Sequence, residues 1–259
     1  MTKKVTFKNR RGQKMVGDLY LPKGNPPFPA VVKCHGLSTK RQAKSTTWMA
    51  NKLNKAGFLF FSFDFTGHGD SAGKLENVTP SKAAEDALAA LRFIKKSPEV
   101  DKKRIGLFGS SYGGHAALIA AGKDQSVKVL ALRSPAADYA EVRYYQLGDF
   151  GIEAWRKLGI MYVSHRKDRK GYILKYNFYK NAQKNNTYKW IPKIKASTIV
   201  IQGDQDDYVP VSQSKKIYDL LKVKNKKRVV IKDCDHHYVN PKHKTRMFNL
   251  IASWFKKYL

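Results

Sequence analysis

Two hydrophobic rhythms take turns along this chain. A period of two marks Val5-Thr6-Phe7 and Met15 to Leu21 as strands, joined through a turn at Arg11-Gly12 into an opening hairpin. After the Pro-rich loop from Gly24 to Pro29 come short, mostly apolar runs: Ala30 to Cys34, Phe58 to Phe65, Arg104 to Phe108, Val127 to Leu132, Thr198 to Gln202 and Arg228 to Lys232. Runs of that length predict strands buried on both faces. Segments of helical spacing lie between them. Gln42 to Ala56 stops at Gly57, and within Ser81 to Lys96 the residues Ala84, Leu88, Leu91 and Ile94 recur three or four apart. Gly114 to Ala121, Val211 to Leu221 and His243 to Tyr258 continue the series. Strands alternating with helices predict an α/β fold, with a mostly parallel central sheet flanked by helices.

One segment breaks the rhythm. Residues 137–195 show no short, clean strand and are dense in Tyr, Trp, Lys and Arg. That length is too great for a structureless loop in a compact domain. The expected organisation is therefore a core of residues 1–136 and 196–259, with 137–195 as a mainly helical cap insertion. No internal repeat or low-complexity tract interrupts it.

Composition narrows the picture. At 259 residues and 42% apolar, the chain can bury a sizeable core, which excludes disorder. No apolar run approaches a membrane span, and the first residues carry no apolar signal region, so a cytoplasmic location is expected. The balance of 50 Lys and Arg against 20 Asp and Glu gives a formal charge of +30. These cations are spread along the whole chain without a nucleic-acid-binding signature. They predict a solvated basic surface and only non-specific polyanion binding at low salt. Cys34 and Cys234 stand apart with no clustered partners, as small buried hydrophobes and not metal ligands.

Candidate chemistry begins at Gly109-Ser110-Ser111-Tyr112-Gly113, between the run ending at Phe108 and the helix from Gly114. Strand, G-x-S-x-G, then helix is the setting of a nucleophile held on a sharp turn. Ser111, with Gly two residues to either side, is the candidate; Ser110 lacks that spacing. A serine nucleophile needs a base, and the base needs a group that orients it. Two loops at strand ends supply candidates. Gly203 to Pro210 carries Asp204, Asp206 and Asp207, and Asp233 to Tyr238 carries His236 and His237. In a parallel sheet both loops fall on the same carboxyl edge as Ser111.

With these residues the chain resembles the α/β-hydrolase family over nearly its whole length. The matching motifs are His35-Gly36, Gly67-His68-Gly69 followed by Ser71, the Ser111 pentapeptide, Gly203-x-x-Asp206-x-x-Val209-Pro210 and the histidine loop. The likeness is to small esterases of the feruloyl, cinnamoyl and monoacylglycerol-lipase-like groups, and more loosely to prolyl-oligopeptidase catalytic domains. It implies Asp206 as the acid and His236 as the base, with Asp204, Asp207 and His237 as rivals. It also implies an oxyanion hole from the backbone N–H groups of Leu37 and Tyr112, and structural roles for His35 and His68. His115, His165 and His243 match no motif. The family's strand order would set Cys34 and Cys234 four strands apart, about 19 Å, beyond disulfide reach.

The activity implied is hydrolysis of a small-molecule carboxylic ester through an acyl-enzyme, with no metal or organic cofactor. The cap's aromatics suggest an acyl or aromatic group against an apolar wall, and its cations a substrate with a negative end. Cleavage of a peptide or amide bond by the same triad is the alternative. A non-catalytic binding protein on this fold is the third reading.

Overall fold

A computed structural model describes residues 1–164 and 171–259; His165 lies outside the described residues. The core is an eight-stranded sheet. Its strands are β1 (Thr2–Lys8), β2 (Lys14–Tyr20), β3 (Phe28–Cys34), β4 (Leu59–Phe63), β5 (Val100–Ser110), β6 (Val127–Arg133), β9 (Ser197–Gln205) and β10 (Lys226–Asp235). They lie in the order β1-β2-β4-β3-β5-β6-β9-β10. The opening hairpin is antiparallel and joins β4 antiparallel, while every pair from β4 to β10 is parallel. The mostly parallel sheet expected from the alternation is the sheet observed.

Strand pleating sends successive residues to opposite faces, so one strand feeds two cores. Ala30, Val32 and Cys34 of β3 pack on the side of α2 (Pro80–Ile94), α3 (Tyr112–Lys123) and α6 (Val211–Leu220). Val31 packs on the side of α1 (Lys44–Asn54) and α7 (Pro241–Tyr258). α3 is buried on all sides, with eleven of its twelve residues inside. That is why it is built from Gly and Ala, which let it press against the sheet. Cys34 and Cys234 are free thiols, on strands four positions apart.

Between β6 and β9 the chain is mainly helical, with α4 (Tyr139–Leu158) and α5 (Asn177–Lys184). It also holds a two-stranded antiparallel ribbon of β7 (Ile160–Val163) and β8 (Tyr172–Lys175), which the hydrophobic pattern did not announce. Each strand is four residues long and largely exposed, so no buried apolar run marks it. Trp155 anchors this segment, donating from its indole to Leu174 O at 3.1 Å. Its ring meets Phe178, which in turn contacts Tyr139 and the Tyr112 ring of α3. Part of the aromatic richness is thus packing that fastens the segment to the core. Among the described residues no helix is long and apolar enough to cross a membrane.

Candidate active site

Ser111 sits between β5 and α3 with φ 52° and ψ −111°, a backbone conformation that costs a non-glycine residue free energy. The turn is held from several sides. Ser111 N–H donates to Arg133 O at 2.9 Å, and Ser111 O accepts from the N–H groups of Gly114, His115 and Ala136. A Cβ on Gly113 would overlap the carbonyl of Cys34, and one on Gly109 would stand 2.7 Å from Gly113 O. Glycine at both positions is therefore a requirement of space, which is what the pentapeptide spacing encodes.

Asp206 and His236 meet at the same edge of the sheet. His236 Nδ1 donates to Asp206 Oδ1 at 2.7 Å, and both residues are buried. The carboxylate also accepts from Val209 N–H at 2.9 Å, Tyr208 N–H at 3.1 Å and Gln202 Nε2 at 3.1 Å. Burial pushes this carboxyl upward, yet the His236 bond and charge, with the Val209 N–H and the Ser134 hydroxyl, bring it below the ordinary carboxylate range. The rivals are placed differently. Asp204 and Asp207 are exposed, and Asp204 accepts from Cys234 N–H. His237 packs its ring edge-on against those of His236 and Tyr208.

Ser111, His236 and Leu37 line one cavity of about 590 Å³. Tyr112 does not line it: its ring turns into the core, where its hydroxyl donates to Thr79 O at 2.9 Å. Its backbone N–H opens α3, in the first turn where such groups lack an acceptor within the helix. His35 and His68 hold backbone groups. His35 Nε2 accepts from Phe65 N–H at 3.1 Å, and His68 Nε2 accepts from Ser38 N–H at 3.3 Å. Burial drives both imidazoles down, His68 to about 4, so they are neutral braces of the loops around the cavity.

Further side chains enter the site that the sequence did not single out. Arg133, at the end of β6, donates to Ser110 Oγ at 2.7 Å and to His236 O, and lies 4.7 Å from the Tyr238 ring centroid. It ties the histidine loop to the residue before Ser111. Tyr139, the first residue of α4, lines the cavity together with Ser111. Arg143 and Tyr172 line the same cavity. No motif marks these residues: Tyr139, Arg143 and Tyr172 come from a segment without regular hydrophobic spacing, and Arg133 closes a strand whose pattern announces burial and no chemistry.

A family model described as the prolyl oligopeptidase family matches residues 44–259. The "uncharacterized 31.7 kDa protein in traX-finO intergenic region" of Escherichia coli is 34% identical over 118 residues, 46% of this chain and 41% of that protein. Thiohydrolase aneE of Aspergillus aculeatus is 34% identical over 127 residues, 49% of this chain and 39% of that protein. The chain thus spans less than half the length of these two relatives. Among solved structures, Est1E of Butyrivibrio proteoclasticus with bound ferulic acid superposes with a TM-score of 0.79 at 26% identity, covering 98% of this chain and 96% of that one.

Proposed function

This chain belongs to the prolyl oligopeptidase family and has the α/β-hydrolase fold, and from that premise we propose that it is a serine hydrolase of small-molecule carboxylic esters. The observation that carries the reading is the buried His236–Asp206 hydrogen bond of 2.7 Å beside the cavity that Ser111 also lines. Because His236 Nδ1 holds its proton against Asp206, Nε2 is the nitrogen left to accept one. It takes the Ser111 proton as the serine oxygen attacks the ester carbonyl, and returns it to the departing alcohol. Water then repeats the sequence on the acyl-enzyme and releases the acid. The N–H groups of Leu37 and Tyr112 hold the oxyanion, each worth roughly 2.7–4 kcal/mol in the transition state. Residues 137–195 act as a roof over a core of 1–136 and 196–259. A thiohydrolase relative and a structural neighbour with bound ferulic acid support acyl transfer to water from an oxygen or sulfur leaving group.

Incubation with a fluorophosphonate followed by peptide mass spectrometry is expected to place the label on Ser111. Folded protein that stays unlabelled would remove the reading. The family itself favours one second reading, amide cleavage by the same triad. Turnover of aminoacyl p-nitroanilides with none of p-nitrophenyl esters would replace the first by the second.

A further inference from the structure

Arg143 is 3% exposed and lines the cavity next to Ser111. Its Nη1 donates to Gln146 Oε1 at 2.7 Å, and Tyr172 lines the cavity beside it. Its Nε has no acceptor. Among the described residues that line the cavity there is no Asp or Glu. The contrast with Arg41 is direct: that buried guanidinium is held by Asp18, Asp64 and Asp70. The fold neutralises one buried arginine with three carboxylates, whereas the other, at the cavity, has only neutral partners among the described residues. A buried charge without a counter-charge is costly, so the site is built to the advantage of an incoming anion.

Other donors converge there. Tyr139 lines the same cavity and lies within the electrostatic reach of both Ser111 and Arg143. Tyr172 and Ser38, the residue after Leu37, line it as well. Tyr139 and Arg143 are four apart on α4, hence on one helix face and about 6 Å apart along the axis. Whatever Arg143 binds therefore shares the cavity in which a carbonyl would meet Ser111.

We infer that Arg143, with the hydroxyls of Tyr139 and Tyr172, forms an anion subsite that selects esters carrying a second, free carboxylate close to the scissile carbonyl. This rests on the serine-esterase reading. The guanidinium offers a planar, bidentate fit to a carboxylate.

Two substrate pairs and one binding measurement test it. The first pair is the 4-nitrobenzyl half-ester of glutaric acid and its neutral glutaramate analogue. The second places the charge on the alcohol: the butanoate ester of 3-(hydroxymethyl)benzoate and its carboxamide. The wild type is expected to prefer the carboxylate in one pair by about 30-fold in kcat/KM, the size expected for a hydrogen bond to a charged group. That ratio should fall to near one in Arg143→Gln and be partly kept in Arg143→Lys. Ratios near one in both pairs for an active enzyme, or ratios unmoved by Arg143→Gln, overturn the subsite. If no ester is cleaved, the esterase reading is what fails. Calorimetry of glutarate binding to Ser111→Ala then decides the subsite alone: binding lost on adding Arg143→Gln supports it, and no binding, or binding indifferent to Arg143, overturns it.

Discussion

At Asp206 a single carboxylate oxygen serves two tasks. Oδ1 accepts from His236 and from the N–H groups of Tyr208 and Val209, so the carboxylate that meets His236, the acid of the proposed triad, is itself fixed by its own loop. Asn in its place offers an N–H where three donors already point. Asp206→Asn is expected to lower kcat by about 10⁴-fold, the loss typical when a triad histidine is held in the wrong tautomer. Asp204→Asn and Asp207→Asn, both at exposed positions, should stay within about threefold, as surface changes do. Steady-state turnover of a p-nitrophenyl ester checks all three, and a loss under tenfold for Asp206→Asn would reassign the acid. Asp206 was legible because its distance from Gly203 and Val209 follows the turn that must carry it. Tyr139, Arg143 and Tyr172 were not, since their roles arise from contacts between segments far apart in sequence. Burial at a cavity with no Asp or Glu among its described lining residues, a property of the fold, sets Arg143 apart from the chain's exposed cations.

Elements differ in how loudly they announce themselves. The inner strands β3, β4 and β6 are apolar because both faces are covered, and their positions read directly from the sequence. β5 begins at Val100, earlier than its apolar run, because Asp101 to Arg104 are a solvated irregularity between the pairs Val100–Phe28 and Ile105–Ala30. β10 is an edge strand, half exposed, and its pattern is correspondingly mixed. α4 presents a subtler case. It is interrupted at Gly148, with φ 61° and ψ −174°, conformations almost reserved for glycine. An added Cβ there meets no atom within 4 Å, so any cost of Gly148→Ala is purely a backbone cost. Unfolding in urea should register a loss of about 1–3 kcal/mol. A variant as stable as the parent would mean that α4 passes through residue 148 as a straight helix.

For the whole molecule, the basic composition and the buried interior act on stability in opposite ranges of pH. The surface carries most of the +30 charge, while several acids are spent inside on Arg41 and Arg11. Inside, His35, His68 and His115 are all driven down by burial, His68 and His115 to about 4. Each keeps its neutral form in the fold because burial strips a charged ring of solvent, and a backbone acceptor, such as Ala136 O at 3.2 Å from His115 Nδ1, offsets that only in part. In the unfolded chain the same imidazoles titrate near 6.5. Folded values below unfolded ones mean that their contribution is fully present above about pH 6.5 and is lost as pH falls toward 4. Near pH 5 the unfolded chain binds close to three more protons at these sites. The slope of unfolding free energy with pH then approaches about 4 kcal/mol per unit. Carboxylates held low, Asp206 among them, extend the loss only at more acid pH. Urea unfolding at pH 7, 6 and 5 and fixed ionic strength measures the slope. His115→Gln, whose amide can still donate to Ala136 O, should reduce it by about a third, the share of one titrating site in three. A flat profile from pH 7 to 5 would show that these rings are protonated in the fold. The loops they brace around Ser111 would then owe their shape to something other than neutral imidazole.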